Sequence, residues 1–214
     1  MFKLRFDGTE ETGGLRRFNE ILTMDFFTLF RINLLTVLAM VPIVTIPPAV
    51  MAMEASVWEI VHSRKPMPYW RCFRTCWRRS YPVFLLAVLL PAMAAAAAVF
   101  YAQQTAVLPL TVVLCAFSIF VLALSALTSI PLYPLAAQRQ PLRQLFPAAL
   151  AAAFSRPLRC LTAFVINAGL LIFFGLLLPL SLPYFLLGGL AFPCLLGQFL
   201  IRRAVPDREE EQAL

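Results

Sequence analysis

Residues 64–104 read RKPMPYWRCFRTCWRRSYPVFLLAVLLPAMAAAAAVFYAQQ. The first part holds Arg64, Lys65, Arg71, Arg74, Arg78 and Arg79, and from Ser80 to Gln104 no residue is charged. A helix rises about 1.5 Å per residue, so about 20 apolar residues cross a hydrocarbon core of about 30 Å. Placing a charge at the centre of that core costs about 2.5–3.5 kcal/mol on insertion scales. Residues 81–102 therefore read as a membrane span. Tyr81-Pro82 and Phe100-Tyr101 supply aromatic residues at its two ends, where amphipathic rings prefer the interface. The basic run before it marks the cytoplasmic side.

The same alternation runs through the whole chain. Its 18 lysines and arginines fall in four stretches: Lys3 to Arg31, Arg64 to Arg79, Arg139 to Arg159, and Arg202 to Arg208. Long uncharged blocks separate them. The chain is 61% hydrophobic and 14% charged, against about 25% charged in soluble domains, and 214 residues enclose too small a core to hide that much apolar surface from water. The fold class is all-α: one membrane domain, with residues 1–31 as an interfacial N-terminal segment, 32–201 as a transmembrane bundle and 202–214 as a cytoplasmic tail. The net charge of +7 sits at the flanks of spans, which points to anionic lipid headgroups as partners and not to nucleic acid. Residues 1–20 contain no apolar signal-peptide core.

Other spans follow by the same rule. In residues 13–31, Phe18, Ile21, Leu22, Phe26 and Leu29 recur at helical spacing between Arg17, Glu20 and Asp25, which reads as an interfacial amphipathic helix or as the frayed start of the first span. Residues 32–46 and 49–63 read as a short helical hairpin turned at Thr45-Ile46-Pro47-Pro48, since proline breaks a helix. One span over 22–46 followed by a surface helix is the alternative. Residues 64–80 form a membrane-surface helix, with Trp70, Phe73 and Trp77 spaced around a face between the arginines. Residues 106–134, 160–179 and 182–201 are further spans, and 135–158 is a cytoplasmic connection holding the short helix PAALAAAF. This gives six transmembrane helices with both termini cytoplasmic. Five is the runner-up, suggested by a weak echo between VLAMVPIVTIP, ending at Pro47, and VLALSALTSIP, ending at Pro131.

Chemistry is sparse. No Gly-rich phosphate loop, HExxH or GxSxG is present, His62 is the sole histidine, and no cofactor or metal is expected. Cys72 and Cys76 share a helix face but lack further metal ligands, while Cys115 and Cys194 lie in apolar runs as small hydrophobes. Glu54 and Glu59 are five residues apart, about 140° around a helix, so they do not line one face. A carboxylate at membrane depth must be paired or protonated, which makes Glu54 a functional candidate. Asn167, within FVINAGLLIFFG, needs an interhelical partner and reads as packing glue or a ligand contact. Trp70, Arg71, Arg74, Trp77, Arg78 and Arg79 are the candidate lipid or partner contacts.

Residues 18–82 resemble the YesL family of bacterial integral membrane proteins. The residues that carry the resemblance are Asn33-Leu34-Leu35, Pro42-Ile43-Val44-Thr45-Ile46, Ala49, Ala52, and the run Tyr69…Phe73…Trp77-Arg78-Arg79; Tyr133-Pro134-Leu135 is similar in layout in the second half. The family usually has glycine after the Thr-Ile pair, where this chain has Pro47. The resemblance implies an inner-membrane accessory role in carbohydrate uptake beside the permease subunits of ABC-type transporters, with no catalytic residues. A small stand-alone transporter or channel is the alternative, and a membrane-bound lipid enzyme is the third class.

Overall fold

The computed structural model describes residues 13–62, 68–104, 109–138, 141–177 and 182–202. They are all-helical, and no strand occurs among them. Lys3, Arg5, Arg64, Lys65, Arg139, Arg203 and Arg208 lie outside the described residues, as do the turn at Thr105 and most of the turn at 179–183. Four helices are long and apolar enough to cross a membrane: Ile43–Val61, Tyr69–Gln104, Leu110–Ala137 and Pro157–Leu176. The count reaches five if a bent pair near the N-terminus is one span.

That bent pair is α1 (Gly13–Met24) and α2 (Phe26–Ala39), which meet at 73° around Asp25. The N-terminal segment is thus two helices, not one. Ile21 and Leu29 are buried, whereas Met24 and Phe27 on either side of the bend are exposed. Phe18 packs edge-on against Phe199, 5.4 Å between ring centroids, which ties α1 to the last helix.

The chain then turns earlier than the two prolines suggest. α2 ends at Ala39, Pro42 is extended (φ −79°, ψ 126°), Ile43–Thr45 make a 3-10 turn, and α3 runs Ile46–Val61. Pro47 and Pro48 start α3 rather than break it. The first N–H groups of a helix have no intrahelical acceptor, so proline loses nothing there and its fixed φ suits the first turn. Pro42 is the breaker, because it also steers the residue before it away from helical geometry. The turn satisfies much of its own backbone: Thr45 N–H donates to the Pro42 carbonyl at 3.0 Å, the Thr45 hydroxyl donates to the Ala39 and Pro42 carbonyls, and the Tyr81 hydroxyl donates to the Val44 carbonyl at 3.0 Å. Its side chains Val41, Ile43 and Val44 stay exposed. An apolar tip with its carbonyls already bonded is tolerable in hydrocarbon, where no water can serve them.

The stretch 64–104 departs from expectation in one respect. α4 (Tyr69–Phe84) is not a separate surface helix: it continues through a π turn (Leu85–Leu89) into α5 (Leu90–Gln104) as one 36-residue helix. Pro82 lies inside it. A proline removes one backbone bond and crowds the preceding turn, and a nearby π turn absorbs such a misfit. At 1.5 Å per residue the helix is about 54 Å long, about 24 Å more than the thickness of a hydrocarbon core.

α6 (Pro109–Ala137) returns antiparallel to α5. The Cys115 thiol donates to the Ala98 carbonyl at 3.6 Å and Ala94 is buried, so the alanine run of α5 works as a close-packing surface. Ser118, Ser125 and Thr128 bond carbonyls of their own helix, as expected of hydroxyls in apolar helices. The two halves of the internal echo fold differently. VLAMVPIVTIP holds the turn between α2 and α3, while VLALSALTSIP lies within α6. The breaker Pro42 of the first aligns with Ala126 of the second.

α7 (Leu142–Ser155) and α8 (Pro157–Leu176) meet at Arg156, whose φ −146° and ψ 66° separate them. α7 lays Leu145, Ala149, Ala152 and Ala153 into the core. α9 (Leu182–Tyr184) leads through a π turn (Phe185–Gly189) into α10 (Ala191–Ile201). Gly188 leaves helical geometry there (φ 162°, ψ 7°). The last apolar segment is therefore a broken helix. Two packed clusters fill the bundle, one centred on Trp58, Leu132, Leu135 and Cys160, the other on Leu29, Ala52, Phe73 and Leu195.

Candidate functional site

Glu54 sits mid-way along α3, among Ala52, Met53, Ala55 and Val57, all buried. It is half-buried itself. α10 packs across this part of α3. Cys194 and Gln198 are four residues apart on α10, one turn, and so present to the same side. The Gln198 Nε2 amide donates to Glu54 Oε2, and Cys194 lies beside the same carboxylate. Tyr133 of α6 lies near both Glu54 and Cys194. Three helices distant in sequence thus converge on one carboxylate.

The surroundings are buried and incompletely paired. Gln198 is fully buried, Cys194 is 4% and Tyr133 5% exposed. Among the described residues, Gln198 Oε1 and the Tyr133 hydroxyl have no hydrogen-bond partner. Among the described residues, no lysine, arginine or histidine pairs with Glu54. A buried polar atom left unbonded costs about 1–3 kcal/mol, so this cluster is where polarity is held against folding free energy.

The other sequence candidates are placed elsewhere. Glu59 is half-buried and is not among the groups that bond Glu54. Asn167 does not reach an interhelical partner: its Nδ2 donates to the Ala163 carbonyl of its own helix at 2.9 Å. Its contribution between helices is steric. A Cβ on Gly197 would come 2.5 Å from Asn167 Nδ2, so glycine is what lets α10 approach α8.

The α4 candidates do form one surface. Tyr69 and Phe73 are buried against the bundle, Trp77 and Arg79 are half-buried, and Trp70, Arg71, Arg74 and Arg78 are exposed. Consecutive rings Trp70, Phe73, Trp77 and Tyr81 contact at centroid distances of 5.4, 5.3 and 6.3 Å. The arginines lie on the outer side of this ladder. Trp70, Arg71, Arg74 and Thr75 line a surface concavity of about 700 Å³. A cationic, aromatic hollow suits an anionic headgroup or an acidic protein surface.

Residues with structural weight that sequence reading did not place among the candidate site residues are Asn33, Tyr133, Cys194 and Gln198. Asn33 is fully buried and clasps the broken helix. Its Nδ2 donates to the Phe185 and Leu186 carbonyls at 2.7 and 3.0 Å, and its Oδ1 accepts from the Leu190 and Ala191 N–H groups, both at 3.1 Å. These are backbone groups that the break at Gly188 would otherwise leave unpaired. The one available signal was an amide in an apolar run, shared by Asn33, Asn167 and Gln198; which of them meets a partner depends on packing. Among the described residues, no group of three or more His, Cys, Asp or Glu is placed to hold a metal ion. Compared with protein-family models, with curated proteins and with solved structures, the chain gives no match.

Proposed function

We propose that this chain is a multi-pass protein of the bacterial cytoplasmic membrane that acts as a non-enzymatic accessory component of carbohydrate uptake, beside ABC-type permease subunits. The observation that carries this reading is the arginine-aromatic face of α4. It stands at the start of a helix about 24 Å longer than a hydrocarbon core, and its rings contact one another in a ladder. A basic face at a cytoplasmic membrane surface is a docking element for anionic lipid or for a membrane partner. The resemblance to the YesL family supplies the transport context. In this reading α4–α5, α6, α8 and the broken α9–α10 cross the membrane with both termini cytoplasmic, α2 and α3 form a hairpin whose turn at Val44 meets Tyr81 beside the basic face, and α1 lies in the interface.

The test is affinity purification of the full chain in mild detergent, followed by identification of co-purifying proteins. Permease subunits should be retained by the native chain and lost when Arg71, Arg74 and Arg78 are replaced by glutamate. Recovery of this protein alone would count against the accessory role. A second reading, a small stand-alone transporter or channel, is favoured by the helix broken at Gly188 and clasped by Asn33, because discontinuous helices build many transporter sites. Sugar flux into proteoliposomes holding only this chain would support it. A lipid enzyme is the least supported, since no nucleophile and base pair is carried by any motif.

A further inference from the structure

We infer that Glu54, Gln198, Tyr133 and Cys194 form a binding site for one small monovalent cation, a proton or a sodium ion, inside the helix bundle. The inference is independent of the accessory role.

Charge sets the ligand. Glu54 is a single carboxylate in the apolar middle of α3, with no basic side chain paired to it among the described residues. One positive charge neutralises it. A divalent ion would leave a net charge in a low-dielectric interior, which is strongly disfavoured.

The donor atoms set the chemistry. The Glu54 carboxylate, Gln198 Oε1 and the Tyr133 hydroxyl are oxygen donors, and hard cations take oxygen ligands. Two of these oxygens, on residues at most 5% exposed, lack any partner among the described residues. The Gln198 amide suits either cation. With its Nε2 toward Glu54 it donates to the ionised carboxylate. Rotated by half a turn, it offers Oε1 to a protonated carboxyl, whose O–H then donates, or to a bound metal ion.

The titratable groups around the site are few. Cys194 on α10 and Tyr133 on α6 face Glu54. On α4, Tyr69 and Cys72 face α3, but the Tyr69 hydroxyl donates to the Ala49 carbonyl at 3.3 Å. On α2, Arg31 is exposed. A response to pH or sodium at this site is therefore read through Glu54.

The test uses the full chain in lipid nanodiscs. Thermal unfolding is followed at constant ionic strength while sodium replaces choline, and the infrared band of a protonated carboxyl is followed against pH. A sodium site raises the melting temperature by about 5–10 °C at a hundredfold excess over Kd, and Glu54→Gln abolishes the rise. A proton site shows no sodium response, but gives a carboxyl band that titrates and that Glu54→Gln removes. Tyr133→Phe keeps the carboxylate, so it is the second variant should Glu54→Gln fail to fold; it weakens the sodium response or displaces the titration of the band. A native chain showing neither a sodium-specific rise nor a titrating carboxyl band overturns the inference. So does a native response that survives Glu54→Gln unchanged.

Discussion

Replacing Asn33 by alanine should be among the most damaging single changes outside the apolar core. The side chain is fully buried and makes four hydrogen bonds, two given and two received, all to backbone groups at the break between α9 and α10. Interhelical hydrogen bonds in membrane proteins average about 0.6 kcal/mol and reach about 1.7, so four give a net loss of about 2–4 kcal/mol. Alanine leaves four backbone groups without a partner in an apolar setting, which pushes the cost to the upper end. Asn33→Asp separates the two halves of the clasp. It keeps the acceptor for the Leu190 and Ala191 N–H groups and loses the donor to the Phe185 and Leu186 carbonyls, so before the burial of a new charge is counted it should lose about 1–2 kcal/mol. The assay is reversible unfolding in mixed micelles, with hydrogen exchange to localise the effect. The Leu190 and Ala191 amides should exchange faster in Asn33→Ala, while amides in the middle of α6 do not change. A loss under about 0.5 kcal/mol, or unchanged exchange at Leu190 and Ala191, would show that the break is held by something other than Asn33.

Three further outcomes are expected. Gly197→Ala should cost about 1 kcal/mol, because the new methyl displaces the Asn167 amide from the Ala163 carbonyl, and the cost should vanish in an Asn167→Ala background; additive losses in unfolding experiments would contradict this. Tyr81→Phe removes the hydroxyl that serves the Val44 carbonyl and should cost about 0.5–1.5 kcal/mol by the same assay, with no change expected if that carbonyl is met by water. Reporter fusions after Gln104 and Ser181 should read periplasmic and a fusion at residue 10 cytoplasmic; a cytoplasmic reading at either of the first two would sink the proposed topology, and a periplasmic reading at residue 10 would favour five spans.

Much of the architecture was written in the linear distribution of charge. The block from Ser80 to Gln104 and the blocks that became α6 and α8 are legible because crossing a membrane imposes a length and forbids charge, and both are local properties. Helix ends were less legible. Pro47 and Pro48 look like a stop and act as a start, because the meaning of a proline depends on whether its missing N–H would have had an acceptor. Pro82 looks like a boundary and is passed by one continuous helix, because a π turn three residues on absorbs the misfit.

Glu54 could be picked from sequence alone, since a lone carboxylate in an apolar run is costly wherever it lands. Its partners could not. Tyr133, Cys194 and Gln198 come from two helices more than seventy residues downstream, and nothing local distinguishes a tyrosine or an amide that meets a carboxylate from one that packs beside lipid. Asn33 and Asn167 make the same point from opposite sides: both are amides within apolar helices, yet one clasps a broken helix and the other bonds its own turn. The sequence by itself determined that this chain is helical, where it is apolar enough to enter a membrane and which surface carries its arginines, because each follows from the cost of exposing or burying one segment. Only the tertiary structure decided which polar groups share a site, because that depends on which helix faces meet.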